Sequence, residues 1–368
     1  MDFLPEPFRT VVAFLVVLGV LVFIHELGHY LAARWRGVHV ERFSIGFGRA
    51  IATWQDSRGT EWRLAWLPLG GYVKLHGQER PEDVSDEVRA TWRGGETFHE
   101  KPVLDRAIVV AAGPIANFVL AAVLFAGLFA TVGQPVPTTL VASVAEGSPA
   151  ARAGLLAGDR IVSLDGQAVA RFEQVQAHVQ PRAGVPIDVG VVRANGQEDT
   201  LRATPEARPG SSDGRLGISG GVPAFERMNP VTALWAGVAH TGDVSVQTLQ
   251  GLWQMVSGQR GTEELGGPLK IAQLSGQVAT MGIASLVTFM AVLSVNLALI
   301  NLFPIPVLDG GHLVFYAAEA IRGKPLPQQA VEYGFRAGFA LLIALFVFAT
   351  WNDLASFGVF RWAAALFG

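Results

Sequence analysis

Cysteine is absent from the 368 residues of this chain. Disulfides, thiolate metal ligands and a cysteine nucleophile are therefore excluded, and any bound metal must be held by His, Asp or Glu. Charge is scarce as well: 16% of the residues are Asp, Glu, Lys or Arg, against 50% hydrophobic. No Lys/Arg-rich run interleaved with aromatics occurs, and the formal net charge is -3, so no nucleic-acid partner is expected. Some stretches carry no charge at all: Val11 to Ile24, Ala107 to Thr131, and Ile271 to Leu308. That pattern reads as a membrane protein with water-exposed parts rather than a soluble domain.

A bilayer-crossing helix needs about 20 apolar residues, and four segments qualify: 9–33, 107–131, 281–303 and 335–356. The first is read as a retained span rather than a signal peptide. Its N-terminal flank is acidic as well as basic (Asp2, Glu6, Arg9), and its apolar character continues to Ala33. Lys and Arg cluster at Arg34, Arg36, Lys101 and Arg106, and again at Arg322, Lys324 and Arg336. The positive-inside rule then puts loops 34–106 and 310–335 on the inner side, and 132–280 with both termini on the outer side.

The inner loop is expected to hold β-hairpins over 49–76, with a turn at Asp56-Ser57-Arg58-Gly59 and a change of direction at Pro68, Gly70 and Gly71 before Tyr72–Leu75. Beyond Gln78 it turns acidic. The outer region holds a compact unit near 137–207, with a helix start after Ser148-Pro149, a strand over Arg160–Leu164 and an Asp165-Gly166 turn. Residues 208–221 read as a Gly/Ser-rich loop. Residues 229–280 have helical patterning and are expected along the membrane surface or leading into the third span.

The chemistry sits in "FIHELGHY" at 23–30. On a helix, His25 and His29 are one turn apart and share a face, so two imidazoles can meet one tetrahedral ion. Glu26 points elsewhere and suits a base that takes a proton from a metal-activated water. A zinc site with that motif needs a third protein ligand. Asp309 is the candidate: it is the first charge after the run ending at Leu308, and Pro304 and Pro306 break the helix before it. His29 and His25 lie roughly 8 and 14 Å before Arg34 along a helix axis, so the expected topology brings both half-sites to the inner half of the bilayer. Asn117 and Asn296 are expected to make inter-helix contacts, Gly28 and Gly113 to allow close packing, and His312 to lie at the membrane interface or behind the ligands. His39, His76, His99, His178 and His240 are expected on the surface or in loops.

With these residues in place, the chain resembles the site-2 protease family of intramembrane zinc metalloproteases, most of all its bacterial branch of sigma-E regulators. The likeness is carried by HExxH at 25–29, NxxPxPxLDG at 301–310, "AAGPIANF" at 111–118 and "PLGGYVKL" at 68–75. "GSPAARAGLLAGDRIVSLDG" at 147–166 resembles a PDZ domain, one unit where well-known members carry two. The resemblance implies zinc on His25, His29 and Asp309, Glu26 as general base and then proton donor, and Asn301 holding substrate or the tetrahedral intermediate. It also implies a strand edge at Tyr72, Val73 and Lys74 that pairs with an unwound substrate.

The expected fold is thus a polytopic α-helical membrane protein with about four transmembrane helices, a cytoplasmic-side β-hairpin region and an inserted extracytoplasmic α+β PDZ domain. Its divisions are 1–36, 37–106, 107–131, 132–207, 208–280, 281–310, 311–334 and 335–368. The resemblance implies a bacterial inner membrane location. The implied partners are transmembrane substrates of the anti-sigma-factor or remnant-signal-peptide kind, the lipid bilayer, and a peptide or protein ligand at the PDZ unit. Two rival readings are a membrane PDZ scaffold with a structural or inactive metal site, against which the intact Glu26 argues, and a secreted zincin lacking residues 1–24.

Overall fold

Helix α1 (Glu6–Trp35) begins where Pro7 occupies the first turn, a position at which its missing N–H breaks no helical bond, and ends beside Arg34 at its carbonyl terminus. The computed structural model describes residues 5–79, 84–136, 138–207, 212–220, 224–261 and 266–358. The chain divides into two units, Met1–Leu128 with Asn229–Gly368, and Phe129–Met228.

In the first unit α1 is followed by strands β1 (Val40–Gln55) and β2 (Glu61–Leu75), short helix α2 (Asp86–Ala90) and long helix α3 (Val103–Thr131). The Asp56 turn joins the strands as expected. Its carboxylate accepts from the Arg58 and Thr60 N–H groups at 2.9 Å, the Trp62 indole at 3.2 Å and the Tyr30 hydroxyl at 3.1 Å. Desolvation raises the Asp56 pKa, but these donors outweigh it and hold the group at about 2. The sheet is larger than the sequence suggested. β1 starts nine residues before position 49, and Pro68–Gly71 bends β2 without ending it. Phe43 has a β2 partner on each side, Trp62 and Val73, so both strands fold back within one sheet and 71–75 is an outer segment. The bend in β1 needs Gly46 at φ +87°, where an added Cβ would stand 2.7 Å from the Leu67 carbonyl oxygen. The sheet packs on α1 and α3 through Ala33, Val38, Val40, Leu75, Phe98 and Val109. His76, expected at the surface, is buried in this layer. Its Nδ1 lies 2.8 Å from Glu41, and its Nε2 accepts the Arg93 N–H at 2.8 Å. Its two ring nitrogens are satisfied, which is the condition for burying it.

The second unit contains β3 (Gln134–Val136), β4 (Val141–Val144), α4 (Pro149–Ala153), β5 (Arg160–Leu164), β6 (Gln167–Ala168), α5 (Phe172–Val179), β7 (Ile187–Val192), β8 (Glu198–Ala203), β9 (Glu206–Ala207), β10 (Gly214–Arg215), β11 (Ile218–Gly220) and β12 (Ala224–Glu226). A four-stranded sheet of order β6-β5-β7-β8 packs with α5 around Ile161, Leu164, Val175, Ile187 and Val189. Ser148 caps α4 as its position suggested, and Asp165 (φ 48°) with Gly166 (φ 76°) makes the tight turn into β6. The segment expected as loop, 208–221, contains β10 and β11. These pair with β9 and β4, and Leu216 between them is buried in the core. Ladders of two or three residues leave no alternation to read among turn formers. Residues 208–211 and 221–223 lie outside the described residues.

Asp165 yields a pH prediction. The Asp188 N–H and then His178 stabilise its ionised form and lower its pKa. A depressed folded-state pKa contributes stability above the unfolded value, about 3.9, and loses it as pH falls toward the folded value. Hydrogen exchange at the Asp188 amide, corrected for intrinsic rate, is expected to speed up below about pH 4. In Asp165→Ala it should be fast throughout.

The chain then re-enters the first unit with α6 (Pro230–Val256), α7 (Pro268–Thr280), α8 (Ile283–Asn301), α9 (Asp309–Arg322) and α10 (Gln328–Ser356). Helices α1, α3, α8 and α10 are the four long and apolar enough to cross a membrane among the described residues. α10 starts earlier than the apolar run at 335, at Gln328 directly after Pro327, and its first turns carry an exposed Glu332–Arg336 pair one turn apart at 2.5 Å. Asp353, buried near the end of α10, accepts from the Gly267 N–H at 2.8 Å and the Lys270 N–H at 3.0 Å. It thereby caps α7, whose own N-cap residue is a glycine with no side chain. Asp353→Ala should cost about 1–2 kcal/mol, and Asp353→Asn, which keeps an acceptor, less. Denaturation midpoints in detergent check this.

Candidate metal centre

The site is assembled from α1, α3 and the start of α9. His25 and His29 project from one face of α1, their Nε2 atoms 3.3 Å apart. Asp309 Oδ2 lies 3.2 Å from His25 Nε2 and 3.5 Å from His29 Nε2. Zinc bound tetrahedrally at 2.0–2.1 Å needs ligand atoms about 3.3 Å apart, the edge of the tetrahedron. All three edges meet that value. Asp309 Oδ2 is also buried without a hydrogen-bond partner. A buried carboxylate oxygen left in that state fits coordination to a cation.

Asp309 reaches this point by a route the sequence showed only in part. α8 stops at Asn301, well short of the aspartate, and Asp309 is the first residue of a new helix. The intervening turn holds Val307 at φ +122°, a β-branched residue in the left-handed region. Gly310 and Gly311 press on that turn so closely that a Cβ on either would stand 2.2 and 2.4 Å from the Leu302 and Ile305 carbonyl oxygens.

Ring orientation is set from α3. The Val109 carbonyl lies 2.9 Å from His29 Nδ1. A carbonyl can only accept, so Nδ1 carries the proton and Nε2 presents its lone pair to the centre. The side-chain Nδ2 of Asn117 lies 3.2 Å from His25 Nδ1, and its Oδ1 is buried without a partner. Oxygen and nitrogen of an amide exchange places by a half-turn, which would let the oxygen accept the Nδ1 proton and give His25 the same tautomer as His29. Between these contacts α3 passes beneath the pair at Gly113, where a Cβ would stand 2.3 Å from His29 Nε2 and 2.9 Å from His25 Cε1. Pro114, inside α3, removes the N–H that would bond Val110 and loosens this turn.

Glu26 lines the same cavity of about 350 Å³, together with Asn301, Asp309, His312, Tyr72 and Val73. Glu26 lies against the outer segment of the sheet, its Cγ 3.0 Å from where a Cβ on Gly71 would stand, and Val73 lines the cavity beside it. Val73 thus faces the site from the outer segment of the sheet. The Lys74 side chain is exposed on the strand face opposite Val73 and pairs with Glu41 at 2.7 Å. His312 lies in the cavity, with Phe335 edge-on at 5.2 Å.

The sequence profile of peptidase family M50 matches residues 13–345. The chain belongs to peptidase family M50. Proteins named "Putative zinc metalloprotease" from Agrobacterium fabrum and Rhizobium meliloti are 45% and 42% identical to it, each over 94% of this chain and 96% of its own length. Metalloprotease MmpA of Caulobacter vibrioides is 38% identical, over 97% of this chain and 98% of its own. A solved PDZ domain of an SdrC-like protein from Listeria monocytogenes is 22% identical over 23% of this chain and 90% of its own, with a TM-score of 0.21. This M50 peptidase is a zinc metalloendopeptidase and a membrane protein, as its resemblance to the site-2 proteases implied.

Sequence reasoning had given three features of the M50 chain no role at the centre: the Val109 carbonyl, the Asn117 amide and the glycine floor at Gly113. A backbone carbonyl has no sequence signature. The signal for the other two was "AAGPIANF" itself, in which an asparagine and a proline interrupt an uncharged span. Asn117 does make the expected inter-helix contact, its carbonyl accepting from Ser294 Oγ at 2.8 Å, while its side chain serves the histidine.

Proposed function

We propose that His25, His29 and Asp309 hold the catalytic zinc and that this enzyme cuts single-span membrane proteins within the bilayer. The observation that carries the reading is the match of the three ligand-atom separations, 3.2, 3.3 and 3.5 Å, to one tetrahedral face. Bound there, zinc supplies a Lewis acid that makes water nucleophilic near neutral pH and polarises the scissile carbonyl. Glu26 takes the proton from the attacking water and returns it to the departing amine. Asn301, at the end of α8, offers its amide to the substrate carbonyl.

A membrane helix hides its amides in its own ladder, and unwinding one in lipid leaves each backbone group unsatisfied at a cost of several kcal/mol. The outer segment 71–75 has backbone groups directed away from β1 and offers an unwound substrate a strand to pair with. Tyr72 and Val73 belong to that edge, and Lys74 contributes backbone alone. The second unit acts as the PDZ-like module, binding a peptide or screening bulky outer domains, on the outer face of a bacterial inner membrane. The substrate class is anti-sigma-factor proteins or remnant signal peptides.

The test is Asp309→Ala, purified beside the wild-type enzyme, with zinc measured by elemental analysis and cleavage followed on a single-span reporter in proteoliposomes. Zinc is expected to be stoichiometric in the wild type and lost, with activity, in the variant. Full zinc retention in Asp309→Ala would sink the ligand assignment.

A further inference from the structure

Helix α6 is too polar to qualify as a span among the described residues, and its sequence suggested a helix along the membrane surface or leading into the third span. Its contacts place it differently. Near its start, Gly237 abuts α3 so closely that a Cβ would stand 2.4 Å from the Ala122 carbonyl oxygen and 2.8 Å from the Ala126 nitrogen, and His240 meets Phe125 edge-on at 4.6 Å. Further along, Thr248 Oγ donates to Asn296 Oδ1 of α8 at 3.0 Å. α8 is itself tied to α3 at the level of the metal centre, by the Ser294 bond to the same Asn117 whose side chain touches His25.

These contacts measure a descent. From the level of 122–126 to Asn117 is about 10 Å along α3, and Asn296 lies about 3 Å beyond Ser294 along α8. Between Gly237 and Thr248 the axis of α6 advances about 16 Å, so some 13 Å of that advance runs parallel to the spans. A helix lying on the membrane surface would show almost none.

The remaining surface of α6 is divided lengthwise. Leu234, Trp235, Val238, Val246, Leu249 and Trp253 form one exposed stripe at helical spacing. Asp243, the one charged side chain in the helix, lies on a second exposed stripe with Gln247, Gln250 and Gln254. At the depth set by α3 and α8, hydrocarbon is the medium around an uncovered apolar side chain, and polar groups face water or protein.

We propose that α6 is a fifth membrane-embedded helix, inserted beside α3 and α8 to the depth of His25, with its apolar stripe against lipid acyl chains and its Asp243–Gln254 stripe lining a water-filled crevice. The inference rests on α3 and α8 crossing the bilayer and is independent of the catalytic roles proposed above.

The absence of native cysteine makes the test clean. Val231→Cys, Val246→Cys and Gln247→Cys are made singly in the full-length protein, spin-labelled, and placed in phosphatidylcholine nanodiscs. Accessibility to oxygen and to a water-soluble nickel chelate is then read. The label at 246 should lie deeper than that at 231, by on the order of 10 Å. Oxygen should dominate at 246 and the nickel chelate at its neighbour 247. Equal depth at 231 and 246 means a surface helix and overturns the proposal. So does nickel access at 246, an apolar environment at 247, or an immobilised 246 label reached by neither reagent, the mark of a second copy or another protein on the stripe.

Discussion

Glu26→Gln is expected to lower cleavage of a single-span reporter by about two to four orders of magnitude, the usual contribution of a positioned general base, while zinc content stays at the wild-type level. The amide preserves the shape of the side chain, so the cavity should not rearrange. It cannot take up a proton at neutral pH, which is the step assigned to the carboxylate. His25, His29 and Asp309 keep their mutual distances of 3.2 to 3.5 Å, because none of them is held by Glu26. Elemental analysis and reporter turnover on the same preparation separate the two roles. Undiminished turnover would assign the base elsewhere. Lost zinc would mean that Glu26 is itself part of the metal's coordination.

Gly113→Ala should abolish both zinc retention and cleavage, although alanine is the better helix former by about 1 kcal/mol. The added methyl carbon would occupy a point 2.3 Å from His29 Nε2 and 2.5 Å from its Cε1. Either His29 swings off its Val109 hydrogen bond or α3 moves away from α1, and each outcome takes Nε2 out of register with Asp309. Gly127→Ala, in the same helix, is the control, since a Cβ there meets nothing within 4 Å. The informative result is a well-folded, thermally stable variant without metal. If Gly113→Ala binds zinc and cleaves like the wild type, the histidines do not lie over α3 as described.

Several elements were readable because a short-range pattern specifies them. The apolar segments 9–33, 107–131 and 281–303 marked three helices nearly to their ends, and the Asp56 turn, the Ser148 cap and the Asp165-Gly166 turn all sit where local chemistry put them. The errors share a cause. β1 extends nine residues before the expected start, β10 and β11 lie in a segment that reads as loop, and His76 is buried. In each case the deciding partner, such as Val73 for Phe43, Val144 for Ile218 or Glu41 for His76, is distant in sequence.

The sequence alone determined the chemical inventory: no thiols, two imidazoles one helical turn apart with a carboxylate beside them, and a lone aspartate at the end of a long uncharged run. Those are properties of composition and of helical spacing, which need no partner to be read. The tertiary structure decided how the inventory is held. The proton on His29 Nδ1 is placed by a carbonyl of α3, the floor under both rings is a glycine, and the third ligand, a carboxylate, arrives on the first residue of a new helix after a strained turn. A backbone carbonyl, a missing side chain and a positive φ leave almost no mark on residue identity, so they became visible only once α1, α3 and α9 were brought together.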